Sequence, residues 1–441
     1  MFVDKRHIVR CPIHGSMEFS AREMALIDSP FFQRLRQITQ LGFAGLVFPG
    51  ATHTRFAHSL GTAHLAGRVF DQLCKGNNYD LRADYNLEQL NYARSLLRFA
   101  ALLHDVGHPP FSHAAEAVLP RLGQLPMPDF LLDDPNRQAT HEDYSHAIIH
   151  HLAESRGLIS REEASDLVSI LSKKHEPSDQ LKAKDGRHLI YPLLCQLING
   201  EIDVDRMDYL LRDAYNAGVP YGKFDLDRLI GAMAVYKEDQ AGWFLLSLKE
   251  EDVPTYENFL LSRIHMFQQI YFHKTLGAFS HYLTRAFVDK ELEIEVDGSL
   301  EQFLGFTESR LRQALAQVSH KKWSSRILGR VKAKNILRVV GEDTADLARL
   351  VMVEEIINRA GIESFVVRSS NQYSSQIEGQ VNQGTVMVIQ SEFGKTRALP
   401  LASRSDLLDT REKRILITQL YVHREDAARA IEEINLKLAD G

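Results

Sequence analysis

Four stretches of this chain supply histidine, carboxylate or both in contexts suited to a metal ion. The first is Thr54-Arg55-Phe56-Ala57-His58-Ser59-Leu60-Gly61, and the second is Leu102-Leu103-His104-Asp105-Val106-Gly107-His108. The third is Thr140-His141-Glu142, and the fourth runs from Asn199 to Tyr209 through Glu201, Asp203, Asp205 and Asp208. A lone His-Asp pair carries no weight, since about one is expected by chance in a chain rich in both. Context gives it weight here. His104 and Asp105 follow a strongly apolar turn, so they emerge from a core, and a charged dyad there needs a partner to offset its desolvation. A metal ion meets that need, and mixed imidazole and carboxylate ligands suit Fe, Mn, Zn or Mg.

These residues need elements to hold them. Leu96, Ala100 and Leu103 repeat at helical spacing and predict a helix over Leu87–Leu103, stopped by Gly107 and Pro109-Pro110. Asp205, Tyr209 and Asp213, spaced four apart, fall along one helix face. The first 290 or so residues read as predominantly helical. Polar loops are expected around Asp133–Asn136 and over Lys173–Arg187, the second as a flexible insertion. Later, Phe365–Arg368, Thr385–Ile389 and Arg414–Tyr421 carry β-branched runs typical of strands, with helical patterns at Thr344–Arg359 and Glu425–Leu438. The predicted fold is mainly α, a helical core with a smaller C-terminal α+β region. Three units follow: a catalytic domain over residues 1–290, a helical and basic connecting segment over 291–342, and the α+β domain over 343–441.

Composition narrows the function classes. A formal charge of −6 excludes a globally basic nucleic-acid binder, so a polyanionic substrate needs locally concentrated Arg and Lys. Single-stranded nucleic acid, suggested by Trp323 among Lys321, Lys322, Arg326 and Arg330, is not favoured for the same reason. His146, His150 and His151 have metal-pair spacing but read as surface residues of a helix. No apolar run reaches the length of a membrane span, and the start of the chain lacks a signal-peptide pattern. The three dispersed cysteines fit a reducing, cytoplasmic setting rather than a disulfide framework.

The four stretches resemble the H…HD…D signature of the HD superfamily. The likeness is closer to the SAM-and-HD-domain dNTP triphosphohydrolases of vertebrates and their bacterial relatives. It runs over roughly residues 7–342 and includes Gln33-Arg34-Leu35-Arg36, Val47-Phe48-Pro49-Gly50-Ala51 and Pro110-Phe111-Ser112-His113. The resemblance implies an HD-domain helical fold and makes His58, His104, Asp105 and Asp205 the ligands of a divalent metal. It also places His108, His113 and His141 around the α-phosphate, with His113 the foremost general acid. Glu116, where the family has Asp, would orient His113 from three residues away, and Glu142 would orient His141.

The same resemblance supplies a substrate. Arg55, Arg206 (Lys in the family) and Lys274 would face the phosphates, while Gln40, Leu41, Tyr209, Asp213 and Tyr271 would hold the deoxyribose. Phe272 and Phe267 replace polar residues of the family near the base. Asp28, Gln33 and Arg36 fall where the family holds a guanine nucleotide, and Lys334 and Arg338 where it grips a second effector. His7 and Cys11 stand where the vertebrate pattern has Lys and Asp. The implied protein is an HD-domain dNTP triphosphohydrolase, releasing deoxynucleoside and triphosphate, regulated by GTP or a dNTP within a homotetramer. Its alternatives are another HD phosphodiesterase or nucleotidase, and a non-catalytic nucleotide sensor. Each of these residues taken singly also reads as an ordinary core or surface side chain. The ordered set is what tells against that.

Overall fold

A computed structural model of the chain describes residues 6–238, 240–375, 381–393, 395–408 and 414–439, without the side chains of His113 and Lys395. The molecule is mainly α. A hairpin of β1 (His7–Cys11) and β2 (Gly15–Phe19) opens the chain. The central helices are α1 (Arg55–Leu73), α2 (Leu87–Leu103), α3 (His141–Glu154), α4 (Arg161–Ser172), α5 (Tyr191–Asn199) and α6 (Val204–Ala217). After them come α7 (Val253–Met266) and α8 (Lys274–Val288), joined by a π-turn over Phe267–Tyr271.

Helix α2 shows why the sequence folds this way. Asn86 and Gln89 close a reciprocal cap at its start. Leu96, Leu97, Ala100, Leu102 and Leu103 are fully buried. Each such leucine contributes roughly 1.5–3 kcal/mol relative to exposure, so the end of the helix is firmly fixed. The chain leaves it at His104, the C-cap residue, as the sequence predicts. Gly107 then packs against α3, where a Cβ would collide with the His141 carbonyl and the Ser145 amide. Glycine is what lets the His-Asp turn and α3 meet.

Two short strands, β3 (Ala234–Lys237) and β4 (Phe244–Lys249), form a second hairpin. Beyond residue 330 come β5 (Lys334–Val340), helix α9 (Thr344–Arg359), β6 (Ser364–Gln372), β7 (Met387–Glu392), β8 (Lys395–Pro400), β9 (Arg414–Val422) and helix α10 (Ala427–Ala439). Strands β5, β9 and β6 make an antiparallel sheet. One face carries Val339, Leu420 and Val422 against Leu350, Val353 and Ile357 of α9 and Ala430 of α10. The other joins the main core, with Phe365 stacked on His281 of α8 at 4.0 Å.

Three expectations are corrected here. Residues 334–340, assigned to a helical connecting segment, form β5, because Ile336, Leu337 and Val339 pack on the sheet and helices that follow. Strands β7 and β8 leave the C-terminal sheet and extend the β3–β4 hairpin, β7 running parallel to β4. The Lys173–Arg187 stretch is pinned rather than a free insertion: Ser178 donates from both its amide and its hydroxyl to buried Asp166. No helix among the described residues is long and apolar enough to cross a membrane.

Candidate metal centre and nucleotide pocket

Helix α1 brings His58, the end of α2 brings His104 and Asp105, and the first turn of α6 brings Asp205. His58, His104 and Asp205 each offer a ligand atom, all within 4.8 Å of one another. His58 Nε2 lies 2.9 Å and His104 Nε2 3.5 Å from Asp205 Oδ1. Asp105 Oδ2 sits 3.8 Å and 3.7 Å from the same two nitrogens. Asp105 also pairs with Arg55, whose Nη2 donates to Ser112 Oγ at 3.1 Å, and its Oδ1 lies 4.0 Å from His108 Nε2.

The proton inventory of these rings tests whether they fit a metal. His58 Nδ1 donates to Asp208 Oδ2 at 2.8 Å, and His104 Nδ1 donates to the Ala101 carbonyl at 2.9 Å. A neutral imidazole that donates from Nδ1 has only a lone pair at Nε2. Both lone pairs therefore face carboxylates, an arrangement that needs a cation between them. Buried His104 Nε2 has no hydrogen-bond partner. The titration behaviour expresses the same demand for positive charge, which a ring proton meets in place of an ion. Burial opposes a charged His58, yet the bonds to Asp205 and Asp208 outweigh it and raise the ring to about 10. His104 is raised as well, against burial, by Asp105 and Asp205. Burial pushes Asp105 up, but Arg55 and the two rings bring it down to about 2, and the rings likewise hold Asp205 low. The donor set suits a divalent ion.

A layer behind the ligands escaped the sequence reading. Asp208, fully buried, accepts from His58, from His14 Nε2 at 2.6 Å and twice from Arg212 at 2.8 Å. It orients His58 and fixes its tautomer. His14 comes from the turn of the first hairpin. Gly61 on α1 leaves the space that the Asp208–Arg212 pair occupies. Its one readable signal is the i, i+4 spacing of Asp208 and Arg212 on α6.

A cavity of about 170 Å³ opens beside the ligands, lined by His104, Asp105, His141, Glu142, His146 and Asp205. It has room for an ion with its waters and a phosphate group, since water takes ~30 Å³ in the liquid. Glu116 accepts from His141 Nδ1 at 2.6 Å, and the His141 ring stacks on His108 at 4.2 Å. Phe111 and Ser112 both take left-handed conformations before the short helix Ser112–Val118, turning Glu116 toward α3. Consecutive left-handed residues are costly and cluster at functional sites. Glu142 lines the cavity and Glu116 takes the orienting bond assigned to it. The side chain of His113 lies outside the described residues.

Next along α6, Asp213 accepts from Tyr271 Oη at 2.8 Å and from His53 Nε2 at 2.7 Å. Tyr271 ends the π-turn and meets Tyr209 edge-on at 6.1 Å. Phe267 packs on Tyr271 at 4.8 Å. Gln40 Oε1 is buried without a partner, and Leu41 packs on the main core. His53 was missed in the sequence because it lies 160 residues from its partner.

Other predicted residues stand apart. Arg206 donates to the carbonyls of Gly200 and Glu201, with Asp203 at 3.3 Å. Lys274 is exposed at the start of α8. Asp28 caps a short helix, Gln33 donates to the Ile27 carbonyl, and Arg36 donates to Gln33 while lying over Phe56. Lys334 and Arg338 are exposed on β5. His146, read as a surface residue, is buried on the core side of α3. Trp323 is buried too and donates to Asp289, so its ring is not free for a stacked base.

Residues 55–213 match the HD domain family. Over this span the chain is similar to HD domains. All four predicted ligands lie in the matched span. A relative in Bacillus subtilis, the uncharacterized protein YwfO, is 35% identical over 263 residues, covering 59% of this chain and 50% of that one. The deoxynucleoside triphosphate triphosphohydrolase SAMHD1 of Bos taurus is 29% identical over 377 residues, 79% of this chain and 60% of that one. Curated relatives are thus matched over about half or somewhat more of their own length. A crystal structure of a hypothetical protein from Aquifex aeolicus superposes with a TM-score of 0.73 at 28% identity, over 98% of this chain and all of that one.

Proposed function

We propose that this protein is a metal-dependent hydrolase that converts a deoxynucleoside triphosphate and water into deoxynucleoside and triphosphate. The observation that carries the reading is the convergence of two imidazoles and a carboxylate at one point, with a polar and aromatic cluster of Asp213, Tyr209 and Tyr271 further along the same helix. Asp205 and Asp213 are eight residues apart on α6, about 12 Å at 1.5 Å per residue, a nucleotide's length scale. The likeness to SAMHD1, whose name states this activity, supports the choice of substrate.

A divalent ion held by His58, His104, Asp105 and Asp205 would polarise the α-phosphoryl group and lower the pKa of a bound water. Arg55, beside the ligands, would contribute its guanidinium to the phosphate oxygens. His141, oriented by Glu116, would deliver a proton to the departing 5′-oxygen, a role open also to His113 and His108. Asp213 would accept from the 3′-hydroxyl, with Tyr271 and Tyr209 against the ribose and Gln40 and Leu41 along its edge. That aromatic floor leaves little room for a 2′-hydroxyl. Turnover of each dNTP and rNTP with Mg²⁺ or Mn²⁺ tests the reading. Deoxynucleotides should be cleaved and ribonucleotides largely spared, whereas equal turnover of both contradicts the sugar pocket.

Assembly belongs to the same proposal. Asp28, Gln33 and Arg36, with Lys334 and Arg338, would hold GTP or a dNTP between chains of a homotetramer. A polyanion there would screen cations from different chains and couple binding to association. Light scattering and initial rates with and without GTP decide it; a monomer indifferent to added nucleotide refutes it.

A further inference from the structure

A second cavity, of about 600 Å³, lies outside the metal centre and shares no lining residue with it. Its wall is built largely from the charged stretch after α4. Lys173, Lys174, Lys182 and Arg187 line it against a single carboxylate, Glu176. That concentration of positive charge stands out in a chain whose formal charge is −6. Lys174, Lys182 and Arg187 pair with Asp133, Asp179 and Asp185, none of which lines the cavity. Such solvent-exposed pairs are weak and readily exchanged for a stronger anion. Lys173 has no carboxylate partner among the described residues and donates to the Asn199 carbonyl at 3.3 Å.

Two further features share this wall. Tyr191 and Pro192 bring in the first turn of α5, an end that no side chain caps. A helix N-terminus carries partial positive charge and unfilled N–H groups, which favour phosphate. Tyr191 and Trp243 give the wall two partly buried aromatic side chains. The volume falls within the ~300–1,000 Å³ typical of small-molecule sites.

The geometry points to a second ligand site here, for a mononucleotide-sized phosphorylated molecule with an aromatic base. Lys173, Lys182, Arg187 and the N-terminus of α5 receive its phosphate, and Tyr191 and Trp243 receive its base. Through Lys173 the site touches Asn199, whose side of α5 lines the metal cavity. The site stands on its own charges and shape, whatever the metal centre hydrolyses.

The test uses the full chain, with AMP and inorganic phosphate as probes and tryptophan fluorescence as readout. The chain has two tryptophans, and Trp323 is buried, so quenching reports Trp243. AMP should quench saturably, less at high salt, and not in Trp243→Phe. Its Kd should rise about ten- to a hundredfold in Arg187→Glu, the loss of one charge-assisted hydrogen bond. Lys182→Gln, at an exposed position, should weaken binding in the same direction should Arg187→Glu misfold. Both variants should keep basal hydrolysis. Inorganic phosphate binding as tightly as AMP overturns the base-binding part. AMP binding unchanged in both variants, or no quenching at all, overturns the site.

Discussion

Gly61→Ala is the substitution for which local and tertiary reasoning give opposite signs. Gly61 sits inside helix α1, where alanine is ordinarily better by roughly 0.5–1 kcal/mol. Here the new Cβ would strike Asp208 Oδ1 and Arg212 Nη2 and lie 2.7 Å from Asp208 Cγ. Carbon atoms rest ~3.5–4.0 Å apart, so the carboxylate must retreat by about 1 Å. Asp208 and Arg212 are 0% and 1% exposed, and breaking such a buried pair costs about 3–5 kcal/mol. The net expectation is a loss of about 2–4 kcal/mol, after the helix gain is set against it. Because Asp208 also orients His58, metal affinity should fall about 10–100-fold. Urea unfolding gives the first quantity and isothermal titration with Mn²⁺ the second. A variant more stable than the parent, with metal affinity unchanged, would refute the reasoning about this layer.

Asp205→Ala removes the carboxylate between the two rings and should abolish both metal retention and turnover with the fold intact; metal content near that of the parent contradicts it. Glu116→Gln weakens the bond that orients His141 and should lower kcat by about 10–100-fold, the scale of one charge-assisted hydrogen bond, with metal content unchanged. An unaltered kcat would exclude Glu116 from the proton-transfer machinery. Burial depresses His146 from 6.5 to about 4, so the folded ring resists a proton that the unfolded ring accepts. Its stability contribution is full above pH 6.5 and is lost as pH falls toward 4, with a limit on the order of 3 kcal/mol. Urea midpoints at pH 7 and pH 5 should therefore fall less for His146→Asn than for the parent, and parallel falls would contradict this.

Local patterns were legible in the sequence, and long-range partnerships were not. The apolar period of α2 and the stops after it placed His104 and Asp105 at a helix end, where the structure has them. The spacing of Asp205, Tyr209 and Asp213 likewise placed them on one helix, α6. What stayed hidden depends on chain segments meeting in space. His14 reaches Asp208 across 194 residues, and nothing in its hairpin turn names that partner. The bond between His141 and Glu116 crosses 25 residues, and nothing in the spacing of either segment names it. The parallel pairing of β4 with β7 spans about 140 residues and reads, residue by residue, as two unrelated apolar runs. Helices declare themselves through their own period, while a site is completed by contacts that no period encodes.

Hydrolysis of a dNTP in H2 18O, with products separated by anion-exchange chromatography and analysed by mass, bears most directly on which bond the metal centre breaks. If water attacks the α-phosphorus, the first products are unlabelled deoxynucleoside and intact triphosphate carrying one 18O. Pyrophosphate or single phosphate as the first product, or label in the deoxynucleoside, would contradict that chemistry and turn the site over to another HD hydrolase reaction.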